Sequence, residues 1–263
     1  MIHITKVIIL FISLIISIPT MAQNGKVLFV MSEADTLLLK KGKKKRQTGI
    51  FLNEFYQAYK AIVNKGYSVD FATPTGKKAT IDQESLADDY WKEDIKMRQE
   101  AIDFWNNNQE FSNPMTLEKA IEKEKEYIGL VIPGGQGLMV DLIYDKNTPL
   151  LLKSFAKNQK VIGLICHAPS LITTIRKEEN PFIGYKVNSV TGFEEFYIEK
   201  FIMKGKPQKR KIAKQLHKLG LEYKKGGPGK SYAVRDRNLI TSQNPYSGIQ
   251  FNELYLKALE EAN

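Results

Sequence analysis

The stretch VIGLICHAP, residues 161–169, combines an apolar run with an abrupt stop. The run leads into Cys166, the single cysteine of the chain, and then into His167, one of three histidines. Pro169 suits the first turn of a helix, because the N–H that proline lacks would be unpaired there. The stretch therefore predicts a buried strand that turns sharply into a helix. Such a turn places the thiol at the carboxyl edge of a sheet, where open α/β sheets bind ligands.

Apolar runs elsewhere in the chain extend this strand into a sheet. Residues 26–31, 67–74 and 127–134 read as strands, and helical spacing over residues 49–66 predicts a helix between the first two. Continuous apolar strands alternating with helices are typical of a parallel sheet that is covered on both faces. We therefore predict an α/β fold: a three-layer α/β/α sandwich with a mostly parallel sheet.

The remaining elements follow from the same periodicities. We expect helices around residues 149–157, 169–177, 197–219 and 247–259, a strand over 186–192, and a hairpin that turns at 236–238.

The first 22 residues are typical of a secretory signal peptide. A short start with Lys6 precedes the apolar core VIILFISLIISI, and small residues stand near a cut after Ala22. The core is short for a bilayer span, although an uncleaved anchor is the alternative. We therefore expect export to the periplasm or secretion, no stable membrane insertion after cleavage, and one domain over residues 23–263.

Residues 75–126, dense in charge and containing Trp91 and Trp105, are expected to form an inserted helical lobe.

Charge and cysteine content exclude several classes of function. The formal net charge is +10, and part of it lies in the run KKGKKKR at residues 40–46. The basic runs lack interleaved aromatic residues, so solvated loops, which can face an anionic membrane surface, are favoured over nucleic-acid binding. A single cysteine excludes an internal disulfide and a multi-cysteine metal site. We expect no metal and no cofactor.

The position of Cys166 predicts a reactive thiol. Free N–H groups and the positive end of a helix stabilise a thiolate and lower its pKa from the usual value of about 8.5. The alternative is a buried cysteine that acts as a small hydrophobic side chain. His167 beside it and the turn favour a nucleophile.

Two further features are predicted to converge on the thiol. The glycine turn PGGQG (residues 133–137) follows the neighbouring strand, so its backbone N–H groups can form an oxyanion hole with that of His167. A plain turn is the alternative.

Glu54 lies on the apolar face of the first helix, three residues after Phe51 and four before Ala58. If it is buried rather than solvated at the rim, its pKa rises and it suits general acid–base catalysis.

Taken together, these motifs resemble the DJ-one/PfpI family, also called ThiJ/PfpI, of the class I glutamine amidotransferase-like superfamily. The resemblance rests on ICHAP (165–169), PGGQG (133–137), TGIFLNE (48–54), VTGF (190–193) and TSQNP (241–245). It covers nearly the whole predicted mature chain, and the long segment after the second strand is similar to the larger heat-shock chaperone and glyoxalase subgroup. The resemblance implies a flavodoxin-like fold.

The resemblance also implies roles for individual residues. Cys166 corresponds to the nucleophile, His167 to its neighbouring base and Glu54 to a carboxylate in contact with the thiol. Gly135, Gln136 and Gly137 form the turn that contributes oxyanion or substrate contacts, with Gln136 where many relatives have histidine. An acid after the TGF motif orients the histidine in some relatives. Glu194, Glu195 and Glu199 all lie near this motif, and Glu195 is the preferred candidate.

The implied activity is that of a glutathione-independent glyoxalase or deglycase, which acts on methylglyoxal-like 2-oxoaldehydes or their adducts without a cofactor. Two alternatives stay open: a stress-related holdase chaperone with an apolar surface at Trp91 and Trp105, and a cysteine-dependent amidohydrolase or peptidase. The expected partners are a small reactive aldehyde and, for the chaperone, unfolded proteins. A homodimer is an open possibility, and nucleic acid is not expected.

Overall fold

The computed structural model describes residues 24–39, 44–92 and 94–262. The predicted signal peptide at residues 1–22 lies outside these ranges. Within the described ranges, no helix has both the length and the apolar character needed to cross a bilayer.

The described chain alternates strands with helices, as predicted. The strands are β1 (Lys26–Val30), β2 (Thr36–Leu39), β3 (Lys44–Gln47), β4 (Ser68–Thr73), β5 (Met115–Thr116), β6 (Gly129–Ile132), β7 (Val161–Ile165), β8 (Lys186–Val187), β9 (Glu222–Tyr223), β10 (Ala233–Asp236) and β11 (Leu239–Ser242). The α-helices are α1 (Leu52–Asn64), α2 (Ile95–Asn107), α3 (Gln109–Ser112), α4 (Leu117–Glu122), α5 (Asn147–Lys157), α6 (Gly192–Tyr197), α7 (Ile212–Leu219) and α8 (Gly248–Ala262).

A seven-stranded sheet forms the middle layer, in the order β10-β11-β7-β6-β1-β4-β5. All neighbouring strands are parallel except the β10–β11 pair. Strands β6 and β7 are buried along their whole length because helices cover both faces of the sheet. The predicted three-layer α/β/α sandwich is confirmed, and β6 and β7 end side by side at the edge where the glycine turn and Cys166 follow.

Several elements differ from the predictions. The helix after Cys166 is a 3-10 helix over Ala168–Thr174. The expected strand at 186–192 shortens to β8, which pairs with β9 outside the main sheet. The expected helix over 197–219 is interrupted: a π-helix at Ile198–Ile202 follows α6, and α7 begins only at Ile212.

Residues 44–46 of the basic run belong to strand β3 of a hairpin rather than to a plain loop. Strands β2 and β3 pair antiparallel, and residues 40–43 between them lie outside the described ranges. The Arg46 side chain is only 18% exposed, with Asp82 Oδ1 at 3.6 Å and Glu84 Oε2 at 4.0 Å. The expectation of a solvated run is therefore wrong for Arg46, because two carboxyl groups distant in sequence fold against it.

The segment 75–126 is largely helical and also adds β5 to the edge of the sheet. Trp91 within it is 3% exposed, and its indole N–H donates to Ser85 O at 2.7 Å. Trp105 is half-buried against the core, with its N–H 3.4 Å from Ala79 O. The expectation of a client-binding apolar surface is therefore wrong for Trp91, which belongs to the core.

Candidate active site

Cys166 lies at the sharp turn after β7. Its φ of +58° is in the left-handed region, which residues other than glycine rarely adopt. Two hydrogen bonds hold this conformation: the Cys166 N–H donates to Ser242 O at 2.8 Å, and its carbonyl accepts from Val190 N at 2.9 Å. Backbone strain of this kind costs roughly 1–3 kcal/mol and is concentrated at functional sites. The predicted sharp turn is confirmed, and the thiol lines a pocket while remaining 95% buried (5% exposed).

The glycine turn after β6 lets a carboxyl group and the thiol approach one backbone position. A Cβ on Gly134 would lie 2.5 Å from Glu54 Oε2 and 2.8 Å from Cys166 Cβ. Gly135 has a φ of +107°, and a Cβ there would meet Gly49 O at 2.3 Å. Larger residues would push the turn away from α1. Because Gly134 has no side chain, Glu54 and Cys166 both pack against its Cα.

Glu54 is buried rather than solvated at a rim. It is 3% exposed, and its Oε2 accepts a hydrogen bond from the Gly134 N–H at 3.0 Å. Among the described residues its Oε1 has no hydrogen-bond partner. Burial raises the pKa of Glu54 from 4.5 to about 8, and the interactions with Cys166 and Gly134 only partly oppose this rise. Glu54 is therefore mostly protonated at neutral pH and exchanges its proton near that pH, as the sequence predicted for a buried carboxyl.

His167 bridges Cys166 and Gln136. Its Nδ1 lies 3.1 Å from Cys166 Sγ, and its Nε2 lies 2.8 Å from Gln136 Nε2. In this orientation of the Gln136 side chain its NH₂ group donates, so we assign the ring Nε2 as the acceptor and place the proton of the neutral ring on Nδ1, directed at the sulfur. Burial lowers the pKa of His167 to about 4, against an opposing effect of Glu194. His167 is thus a neutral hydrogen-bond donor to the sulfur at physiological pH, and Gln136 selects this tautomer.

This tautomer assignment predicts a distinct NMR signature. The ¹⁵N shifts of His167 are expected to report one neutral Nδ1–H form, without titration between about pH 5 and 8, because the pKa is about 4. Gln136→Glu is expected to shift the proton to Nε2, because a carboxylate accepts where the amide donated. Gln208→Glu, at an exposed position, is the matched control, and His217→Gln assists assignment. An Nε2–H form in the unsubstituted protein would contradict the assignment.

The resting thiol differs from the prediction. Burial raises the pKa of Cys166 well above its usual value, and the nearby carboxyl groups of Glu54 and Glu194 add to the rise, whereas the His167 backbone N–H opposes it. The predicted lowering is wrong because the thiol is enclosed and because only a short 3-10 helix follows it. The site therefore rests with a neutral thiol beside a protonated carboxyl group, and an anionic sulfur must form by proton transfer during reaction.

Glu195 does not lie where the sequence analysis expected it. Its oxygens accept from the backbone N–H groups of Lys211 and Ile212 at 2.9 and 3.2 Å, so it caps the start of α7. Burial raises its pKa to about 7. Glu195 is absent from the pocket wall, whereas Glu194 belongs to it. The expectation that Glu195 orients His167 is therefore wrong. Among the described residues, the side chain that contacts His167 Nε2 is Gln136.

Glu194 is fixed in the pocket wall by an extensive set of hydrogen bonds. Its Oε2 accepts from the N–H and the hydroxyl of Thr191, forming a capping box at the start of α6. Its Oε1 accepts from Gly229 N, Gln243 Nε2 and Asn244 Nδ2 at 2.8–3.1 Å. The T-x-x-E pattern at residues 191–194 is the sequence signal that could have located this residue.

The glycine turn contributes to the pocket unevenly. Gly135 and Gln136 line it, and no hydrogen-bond acceptor is found for the Gly135 N–H within the part of the chain that the structure describes. The Gly137 N–H donates to Gly49 O at 3.1 Å instead. Gly137 is therefore a structural residue of the turn, which corrects its expected contact with substrate, while Gly135 remains available to an oxyanion.

The pocket above the thiol has a volume of about 360 Å³ and an aromatic wall. Tyr90 packs edge-on against Phe51 at 4.9 Å and stacks with Tyr246 at 5.9 Å between ring centroids. Phe193 and Tyr197 complete this wall, and Arg46, Asp82 and Glu84 also line the pocket. The aromatic wall and Arg46 were not predicted from the sequence, because these residues come from separate segments that only the fold brings together. Among the described residues, no group of three or more His, Cys, Asp or Glu side chains is arranged to hold a metal ion.

Comparison with curated proteins finds similar chains over most of this length. The glutathione-independent glyoxalase HSP31 of Saccharomyces cerevisiae is 27% identical over 231 residues, which are 84% of this chain and 92% of the relative. Glyoxalase 3 of Candida albicans is 25% identical, over 89% of this chain and 98% of its own. The protein/nucleic acid deglycase HchA of Pseudomonas aeruginosa is 24% identical, over 93% and 84% respectively.

Solved structures share the fold. The crystal structure of glyoxalase III from Candida albicans superposes with a TM-score of 0.74 at 22% identity, covering 90% of this chain and 98% of that one. The structure of REP24 from Francisella tularensis also has a TM-score of 0.74, at 24% identity, covering 89% and 99%. The sequence model described as ThiJ/PfpI family-like matches residues 46–200, a region that contains Glu54, the glycine turn and Cys166. The chain therefore belongs to the ThiJ/PfpI family.

Proposed function

We propose that the protein is a glutathione-independent glyoxalase that converts methylglyoxal-like 2-oxoaldehydes into 2-hydroxy acids, with Cys166 as nucleophile. The observation that carries the proposal is a buried carboxyl group, Glu54, with a pKa of about 8, packed with the thiol against Gly134. Isomerisation of an oxoaldehyde requires a group that both removes and returns a proton near neutral pH. The names of the yeast and Candida relatives support the same activity.

The first step forms a carbon–sulfur bond. Cys166 Sγ adds to the aldehyde carbon, and the thiol proton passes to the former carbonyl oxygen, which yields a hemithioacetal. The Nδ1–H of His167, 3.1 Å from the sulfur, stabilises the negative charge that develops there. The Gly135 N–H, which has no hydrogen-bond acceptor among the described residues, donates to the substrate oxygen.

The second step moves hydrogen between the two substrate carbons. Ionised Glu54 removes the proton of the former aldehyde carbon and returns it to the neighbouring carbonyl carbon, while the hydroxyl proton of the hemithioacetal passes to the oxygen on that neighbouring carbon. A thioester with an adjacent hydroxyl group thereby replaces the hemithioacetal. The first carbon is oxidised and the second is reduced, so no external oxidant is required. Water then adds to the thioester, the Cys166 thiol leaves, and the 2-hydroxy acid is released. The balance is one oxoaldehyde plus one water for each acid.

The assay uses the predicted mature chain, residues 23–263, and methylglyoxal without glutathione. We expect predominantly one enantiomer of lactate, because the proton is returned from one side, and chiral chromatography measures it. Cys166→Ala provides the background. Lactate at or below that background would refute the proposal.

Deglycase activity is a second candidate, favoured by the size of the pocket. Its volume of about 360 Å³ leaves room beyond a three-carbon aldehyde, and Arg46, Asp82 and Glu84 also line an adjoining open groove. A side chain of a modified substrate, which carries the aldehyde as an adduct, fits such a site. Methylglyoxal-modified N-acetylarginine, freed of unbound aldehyde, tests this: release of N-acetylarginine faster than with Cys166→Ala supports it, and an equal rate refutes it.

A further inference from the structure

The segment from α6 through the π-helix exposes four aromatic side chains, which we call the aromatic ridge. The exposed fractions are 61% for Phe193, 51% for Phe196, 50% for Tyr197 and 52% for Phe201. The rings of Tyr197 and Phe201 lie 5.0 Å apart. Water-exposed aromatic surface costs about 25 cal/mol per Å², so a contiguous ridge of this kind marks an interaction surface.

The charge exposed around the aromatic ridge is positive. Lys200 Nζ lies 5.5 Å from the ring centre of Phe196 and 5.1 Å from that of Phe201. Lys209 lies over the exposed ring of Tyr144 at 5.2 Å, and Lys204 and Lys206 are exposed nearby in the sequence.

The acidic residues of the same segment do not offset these lysines at the surface. Glu195 is buried and caps α7, and buried Glu199 forms a bidentate ion pair with Arg210. Glu194 accepts five hydrogen bonds inside the pocket wall. The outward face of the segment is therefore aromatic and cationic.

This chemistry identifies the partner. Aromatic rings combined with lysines suit the headgroup region of a bilayer, where rings enter the interface and ammonium groups meet lipid phosphates. A two-fold pairing of the ridge with a second copy would bring lysines against lysines, which opposes self-association. The overall formal charge of +10 adds a favourable long-range attraction to anionic surfaces.

We propose that the aromatic ridge docks the protein on an anionic phospholipid surface. Phe193 and Tyr197 belong both to the ridge and to the pocket wall, so docking places the mouth of the pocket beside the lipid headgroups. The proposal does not depend on the glyoxalase reaction.

Vesicle sedimentation tests the proposal. Residues 23–263 are used so that the apolar amino-terminal stretch cannot account for binding, and the solved structures that share the fold cover 89–90% of the chain and 98–99% of their own. We expect sedimentation with vesicles of phosphatidylglycerol and phosphatidylcholine, little with phosphatidylcholine alone, and loss of binding in roughly 0.5 M salt. Binding to neither vesicle would overturn the proposal.

Paired variants then locate the surface. Phe196→Ser with Phe201→Ser, and Lys200→Glu with Lys206→Glu, are each expected to lower vesicle partitioning about tenfold or more. Ile95→Ser with Ile249→Ser, at positions 69% and 66% exposed, and Lys96→Glu with Lys257→Glu are matched controls that should bind normally. Circular dichroism confirms folding of each variant. Unchanged binding of the ridge variants would overturn the proposal, as would a ridge-dependent dimer without vesicle binding.

Discussion

Replacing Cys166 by alanine is expected to lower kcat/KM for methylglyoxal by at least about a thousandfold, because the carbon–sulfur bond of the first step cannot form. Cys166 is the only cysteine in the chain, so no other thiol can substitute. Serine retains an oxygen in the same place but is a far weaker nucleophile beside a protonated carboxyl group, so Cys166→Ser is expected to be similarly inactive. Steady-state lactate formation measures both variants.

A third substitution separates chemistry from folding. Cys166 has a φ of +58°, a conformation that glycine adopts without strain. Relief of this backbone strain therefore adds roughly 1 kcal/mol to the free energy of unfolding of Cys166→Gly, which offsets the loss of a small buried side chain. We expect its free energy of unfolding, measured in urea, to stay within about 1 kcal/mol of the unsubstituted protein while its activity falls as far as that of Cys166→Ala. More than a tenth of the original rate in either variant would exclude Cys166 as the nucleophile.

Local patterns were sufficient to predict the frame of the site. The apolar run before Cys166 and the following proline depend on neighbours in sequence, and the strand and turn form as expected. Glu54 was identifiable because three- and four-residue spacing places it on the buried face of α1, where it is 3% exposed. The glycine turn was recognisable because the backbone at Gly135 needs a positive φ.

Properties that depend on distant segments could not be predicted. The pKa of Cys166 depends on complete enclosure and on the carboxyl groups that face it, and its direction was wrong in the sequence analysis. Neighbouring acids also look alike in a sequence: Glu194 faces the pocket, whereas Glu195 turns toward the start of α7. Arg46 appeared solvated within a basic run, because nothing local indicates its pairing with Asp82.

Glu54→Gln is expected to stabilise the protein at pH 8. The pKa of Glu54 is about 8 in the folded protein and 4.5 without burial, so between these values folding takes up a proton. The contribution of Glu54 to the free energy of unfolding is fully present below about pH 4.5. It decreases by about 1.4 kcal/mol per pH unit as the pH rises to 8. Glutamine is neutral throughout and still accepts from the Gly134 N–H, so it avoids this loss. Urea unfolding should show a gain on the order of 4 kcal/mol at pH 8 and little at pH 4.5, while Glu253→Gln, at an exposed position, should show neither.

The same substitution is expected to remove the proton shuttle. In the unsubstituted protein kcat should rise with pH and level off above about 8, as Glu54 ionises and becomes a base. Glu54→Gln should lower kcat by about 10²–10⁴-fold and abolish the rise of kcat with pH. KM should be nearly unchanged because the pocket wall is intact. A variant that gains stability and loses activity together shows that burial of this carboxyl group is retained for chemistry, at a cost in stability. If Glu54→Gln keeps both the rate and its rise with pH, another group moves the proton and the assignment of Glu54 fails.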